Sequence, residues 1–495
     1  MVNTNPPMIL ADDFIEHHNI AWRVEHGAQD PNNPLLAPEP KYPWDSAFPC
    51  SGHGTILKDP IDGVYKGWVS SHAEDVNYVR GQIAFRIAYI TSEDGVNWER
   101  PELDICPLPG YPRTNLMFDH EDGGTSTYAS VFIDPEENPD EPYEMFVFRD
   151  PSFRCPTGTV AGFGQKPVKT IAEAGRNYGL YRYRSKDGLH WRGVEGPLEF
   201  ESGDTLYVHK GRDGGYVSHH KNGIPALPGG FVPYDVGVGE CRINLRKTSA
   251  NGTHWSESTP IMMPDWKDHP GDQIMEVGHY PYGGGIIGVT AIYHAMSQTM
   301  DLQMAASIDG INWWRPSRAT CLPLAPLGEY GGGMIWPTRT LVEDDDKWHL
   351  YYGALDGLHG DMYGVPNRED VQKDNTLLFH GALQRCSWDV GRMWAAIQAS
   401  GGTEMEGYLT TPPISCRGKT LYVNAVTLRE GRIWAELLDD ELHAIEGFSR
   451  DDCEPFAGDD KLATIRWKGG QVGPRDNVSA RFHIKDARLY GYEWR

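Results

Sequence analysis

Nowhere in the 495 residues does an apolar run approach the roughly 18–20 positions that span a bilayer. The opening stretch, MVNTNPPMILADDFIEHHNIAW, has no basic leader, and Asp12 and Asp13 interrupt its one apolar segment. Read as it stands, the chain is expected to be cytoplasmic and to have no membrane partner. Cys50, Cys106, Cys155, Cys241, Cys321, Cys386, Cys416 and Cys453 are scattered without a C-x-x-C pair, which predicts buried free thiols. Positive charge is also scarce. The 45 Lys and Arg against 69 Asp and Glu leave a formal net charge of -24. Such a surface repels phosphate backbones and anionic lipid, so nucleic acid is not an expected partner either. P-loop, dinucleotide, HExxH, Gly-x-Ser-x-Gly and EF-hand signatures are missing. His219 and His220 adjoin on a predicted strand, where neighbours face opposite ways, so no metal site is expected from them.

What is abundant is turn chemistry and large aromatics: 56 Gly, 36 Pro, 16 Trp and 24 Tyr. The hydrophobic fraction of 39% suffices for a sizeable core. At about 100–200 residues per domain, the length allows two to four domains, or one large repeat domain with an appendage.

One phrase supports the repeat. IAYITSEDGVNW (87–98), LYRYRSKDGLHW (180–191), NLRKTSANGTHW (244–255) and LQMAASIDGINW (302–313) each join an alternating strand to Ser-x-Asp/Asn-Gly and then a Trp. Asp-Gly or Asn-Gly makes a tight turn, because Gly accepts positive φ and the preceding side chain bonds nearby backbone. The Trp anchors the next strand. Alternating strands precede each phrase, and a fifth unit, MIWPTRTLVEDDDKWHLYYGAL (334–355), lacks the phrase itself. Four strands per unit over five units predict a five-bladed β-propeller at 44–404, whose closure protects sheet edges. Residues 1–43 are expected to be an arm packed on it. The closely spaced strands of 405–495 predict a small C-terminal β-sandwich. Long insertions at 99–125, 151–177, 221–240 and 356–390 are expected to frame a binding face.

The pattern resembles the five-bladed propeller glycoside hydrolases, the superfamily of families 32, 43, 62, 68 and 130. It is most similar to a poorly characterised bacterial group related to family 32. The likeness rests on the four Asp/Asn-Gly-x-x-Trp phrases, on Asp59-Pro60 with Gly63-Val64-Tyr65-Lys66, and on Phe482-His483-Ile484-Lys485-Asp486-Ala487-Arg488-Leu489-Tyr490. It implies acidic residues at the starts of innermost strands, one as base or nucleophile and another as general acid. Glycosidic cleavage independently needs one protonated and one ionised carboxyl group. The resemblance allows a calcium ion in the channel, but the sequence itself requires no cofactor.

The family 32 first-blade Trp-x-Asn-Asp-Pro phrase is missing, and Trp44-Asp45 is the nearest local feature. Asp45 is therefore the candidate base or nucleophile. Position in the predicted blades adds Asp204 and Asp272 to the acidic cluster, and Glu329 as a candidate acid. Expected substrate-binding residues are Trp44, His53, Tyr128, Arg149, Asp150, Glu276, His279, Trp336, Arg339 and His359. Trp44 and Trp336 would stack on sugar rings, and Arg339 would supply fixed donors. Arg149-Asp150 matches the family's Arg-Asp-Pro wording, yet falls at the end of a middle strand.

The expected function is hydrolysis of a glycosidic bond in a small oligosaccharide or glycoside, exo-acting, with furanosides the first assays. The alternatives are a phosphorylase or transglycosylase of the same fold, or a non-catalytic carbohydrate-binding propeller. The expected partner is a small carbohydrate, with a homo-oligomer left open.

Overall fold

The computed structural model describes residues 5–73, 86–108, 110–118, 125–150, 179–198, 205–212, 214–225, 240–359, 380–400, 405–471 and 473–495. Among these residues there is no α-helix, and no helix is long and apolar enough to cross a membrane.

Three short strands come first: β1 (Glu16–His18), β2 (Ile20–Val24) and β3 (Ala28–Gln29). Antiparallel meanders follow. β4 (Gly54–Lys58), β5 (Tyr65–Ser71) and β6 (Arg86–Ser92) form one sheet. β7 (Thr125–Ile133), β8 (Tyr143–Asp150), β9 (Gly179–Ser185) and β10 (Trp191–Leu198) form the next. It is followed by β11 (Tyr207–Lys210), β12 (Tyr216–Pro225), β13 (Glu240–Ser249) and β14 (Thr259–Met262). β15 (Asp272–Val277) and β16 (Tyr280–Tyr282) both pair with β17 (Gly285–His294), which pairs with β18 (Thr299–Ser307). β19 (Met334–Asp344), β20 (Lys347–Leu355) and β21 (Gly381–Asp389) make the last meander, and β3 pairs with β21 along its outer edge.

The repeated phrase explains how these sheets adhere. In every copy the Gly amide donates to the Ser hydroxyl: Gly95 to Ser92, Gly188 to Ser185, Gly252 to Ser249 and Gly310 to Ser307. The intervening Asp or Asn accepts the next two amides, as Asp94 does from Val96 and Asn97. Each of these glycines has φ between 72° and 78°, which an L side chain adopts only with strain. The turn so formed presents a carbonyl to the preceding sheet. Tyr351 Oη donates to Gly95 O, Trp68 Nε1 to Gly188 O, Arg182 to Asn251 O and Arg212 to Ile308 O. The phrase is thus a staple between neighbouring sheets. Asp59 adds another, because both Lys66 Nζ and Tyr143 Oη of the next sheet donate to its buried carboxylate at 2.5 Å.

Hydrogen bonds also link the innermost strands into a ring. Thr340 and Ile56 join β19 to β4; Thr55 donates to Ala129 O and accepts from Val131 N, joining β4 to β7. Val208 N donates to Ser130 Oγ, and Thr205 Oγ1, just before β11, donates to Met275 O of β15. Tyr280 Oη reaches Thr338 O and closes the circuit. At the seam the backbones of Gly52 and Gly353 touch: a Cβ on Gly52 would lie 1.9 Å from Trp336 O. The result is an all-β, propeller-like ring of meanders.

The terminal sheet contains β22 (Trp394–Gln398), β23 (Gly407–Thr410), β24 (Ile414–Ser415), β25 (Leu421–Leu438), β26 (Asp459–Thr464) and β27 (Asp476–Trp494). β27 pairs with β22, β23, β24 and β25, while β1 and β2 of the arm pair with β23 and β22. The sheet therefore takes strands from both sides of residue 405. Leu421, Val423, Ile433, Phe482 and Ile484 lie in its own apolar core.

Candidate functional site

Aromatic and ionisable side chains from the innermost strands meet inside the ring. His53, immediately before β4, stacks on Trp336 of β19 with ring centres 4.5 Å apart. It also lies 4.7 Å from Tyr128, which in turn packs edge-on against Tyr207. Tyr128 has φ 59° within the β7 bulge, so the surrounding structure holds this side chain in a strained setting.

Glu276 continues this line. It occupies the irregularity in β15 where register shifts between Ile274 and Glu276, and it interacts electrostatically with Tyr207 and Tyr280. Burial pushes its carboxyl well above the usual range, with no cation or donor among the described residues to offset it. The same burial, with the Glu276 charge second, pushes the Tyr207 hydroxyl well up. A carboxyl so placed favours its protonated form, the state required of a general acid.

Arg339 crosses the axis from β19. Its guanidinium donates to Thr55 Oγ1, Val208 O and Val131 O, which belong to three different sheets. Burial lowers its pKa to about 10. His279 lies beside His209 and His219, with ring centres 5.0 and 5.1 Å away. Burial, with the neighbouring His219 and Arg246 and Arg339 next, pushes His279 well below the usual imidazole value.

Glu329 lies apart from this line, in an open cavity of about 450 Å³ with Tyr330, Asp356, His380 and Gln384. The loop before β19 and the end of β20 build this rim. His380 N donates to Asp356 Oδ1 at 2.7 Å, which fixes the Asp356 carboxylate.

Other candidate residues have different surroundings. Asp45 is fully buried in a one-turn 3-10 helix and accepts from Arg100 Nε at 2.8 Å. Burial raises its pKa to about 6 in spite of that guanidinium. Trp44 donates to Asn115 and packs edge-on against Tyr42 and Tyr111, inside an apolar cluster. Asp272 is engaged by His294 Nδ1 at 2.7 Å, and His294 Nε2 reaches Asp301 at 3.2 Å. Burial alone would lower the His294 pKa, but the two carboxylates raise it to about 10. Arg149 lies over the Tyr181 ring at the end of β8, and Asp150 is that strand's last residue. His359 packs 4.7 Å from Tyr293 and donates its amide to Gln298 O. Asp204 lies outside the described residues.

Sequence reasoning passed over Tyr207, His209 and Tyr280. They alternate with apolar neighbours in YVHK and GHYPY, as ordinary half-buried strand residues do. The available signal was the concentration of Tyr and His at corresponding places in successive innermost strands.

The described residues do not fit a channel calcium ion. Calcium takes six to eight oxygen ligands, whereas the described residues bring Glu276 to the axis amid imidazole rings and the Arg339 guanidinium. Among the described residues no group of three His, Cys, Asp or Glu side chains is arranged to hold a metal.

No family model and no curated protein matches the sequence. Solved structures do resemble it. A fructofuranosidase from Schwanniomyces occidentalis complexed with fructosylnystose is 9% identical over 93% of this chain and 96% of its own, with a TM-score of 0.41. A family 43 arabinoxylan arabinofuranohydrolase from Bacillus subtilis is 11% identical over 95% and 99%, with a TM-score of 0.39. An N-acetylgalactosamine deacetylase from F. plautii is 16% identical over 75% and 96%, with a TM-score of 0.44.

Proposed function

We propose that this chain is a glycoside hydrolase acting on a small oligosaccharide or glycoside, and that its five meanders are the blades of a closed propeller. The observation that carries the reading is Glu276, a buried carboxyl without an ionic partner among the described residues, reached through the rings of Trp336, His53, Tyr128 and Tyr207. Glu276 is the acid that protonates the leaving oxygen, and the flat rings give a sugar face its platform. Its ionised counterpart is sought in Glu329, on the rim, and in Asp204. Thr205, the residue after Asp204, donates to Met275 O beside Glu276. β5, β8, β12 and β20 all end at one side of the ring, and exo action there is part of the proposal. Free thiols at all seven described cysteines suit a cytoplasmic enzyme working on imported substrate.

The test is turnover of a furanoside and pyranoside panel, with and without phosphate. Free sugar released without phosphate supports hydrolysis, and Glu276→Gln should then lose about 10²–10⁴ of kcat on poor leaving groups. Much less should be lost on activated aryl glycosides, which need no protonation. Absence of turnover on the whole panel, strict dependence on phosphate, or an unaffected Glu276→Gln enzyme would reject the assignment.

A further inference from the structure

The mouth of the ring opposite the Glu329 rim holds a second cavity, of about 290 Å³. Its lining comes from the later parts of the innermost strands: Phe132, Lys210 at the end of β11, and Thr340, Leu341 and Glu343 of β19. His209, His279 and Arg339 form its inner wall. The two cations of the lining are unequally matched. Lys210 is matched by Glu137 and Glu144, and the exposed Glu343 accepts from Trp348 Nε1. Arg339 has no carboxylate partner among the described residues, and only three of its N–H groups have acceptors there. A guanidinium carries five.

The imidazoles beside it are also left over. His209, His219 and His279 are 3%, 1% and 5% exposed. Nε2 of His209, Nε2 of His219 and both ring nitrogens of His279 have no hydrogen-bond partner among the described residues. Buried polar atoms without partners are costly, and a buried cation without a counter-charge more so. A cation bound against Arg339 would be repelled by it, whereas an anion there supplies the counter-charge that the described residues do not. Neutral imidazoles give N–H donors, Arg339 gives the charge, and Phe132, Tyr280, Tyr282 and Trp348 give apolar walls.

We infer that this mouth is a binding site for a small oxyanion, a phosphate or a carboxylate, held by Arg339, His279 and His209. It does not depend on the hydrolase reading, which gives no role to Arg339, His279 or His209.

Inorganic phosphate and, separately, acetate are titrated into the full-length protein by calorimetry. Saturation by either at about one per chain is expected, and it tells a phosphate site from a carboxylate site. His279→Asn and His209→Asn should each weaken it about tenfold or more. Glu329→Gln, on the opposite rim, should leave it unchanged. Arg339 ties three sheets together, so its replacement is not the deciding variant. Failure of both anions to saturate, unchanged affinity in both histidine variants, or loss of binding in Glu329→Gln would overturn the site.

Discussion

Trp68 Nε1 donates to the carbonyl of Gly188 at 2.8 Å, so the most deeply buried Trp of one sheet closes the turn of the next. Trp68→Phe keeps most of the packing and leaves that carbonyl unpaired. Urea unfolding should show a loss of roughly 1–3 kcal/mol. Trp68→Ala should lose about 3–5 kcal/mol, because a cavity is added. Equal stability of Trp68→Phe and wild type would show that the staple contributes only through packing.

Asp45 and Arg100 form a buried pair, with Glu39 on the outer side of the guanidinium. Asp45→Asn removes the buried charge partner and should destabilise the chain by roughly 3 kcal/mol. Thermal melts should fall, while turnover per folded molecule remains near wild type. A folded Asp45→Asn protein without turnover would return this residue to the chemistry.

His294 gives a pH dependence with a definite sign. Its folded pKa of about 10 exceeds the unfolded value of about 6.5. The protonated His294 with Asp272 and Asp301 therefore stabilises fully below pH about 6.5, and that contribution disappears as the pH rises through about 10. Wild type should exceed His294→Gln by roughly 2–3 kcal/mol at pH 6, with the gap closing toward pH 10. A gap that is constant over this window would mean that His294 is neutral throughout.

The buried thiols should be inert until the fold opens. Burial raises Cys50 to about 12 and Cys453 to about 11, and Cys321 lies well above the ordinary thiol value for the same reason. A chromogenic disulfide reagent should react slowly with the native protein. Under denaturing, non-reducing conditions it should count all eight cysteines. A smaller count would reveal disulfides.

The parts of this molecule that sequence made legible are those whose interactions are local. Ser92, Asp94, Gly95 and Trp98 complete one another's hydrogen bonds within seven positions, so the turn can be read as a phrase. His53, Tyr128 and Trp336 were reachable because each stands near the start of an innermost strand. Asp45 shows where this reasoning stops. Its side chain looks like that of any turn carboxylate until Arg100, 55 positions later, is brought against it. Glu276 is read from the sequence as a binding residue on an innermost strand. The burial that pushes its carboxyl pKa upward brings it among Tyr207 and Tyr280, which strand periodicity does not report.

The arm of β1 to β3 has a consequence for synthesis. β1 pairs with β23 and β2 with β22, and both of those strands await β27, which ends at Trp494. A chain emerging from the ribosome therefore carries β1 and β2 without their completed sheet until β27 has been made. Early meanders are not sealed in that interval either, since Gly52 meets Gly353 only after β20 exists. Long-range closure of this kind slows folding and prolongs the exposure of unpaired edges. Chaperone demand during translation should accordingly be high, and it should drop sharply once β27 pairs with β22 and β23.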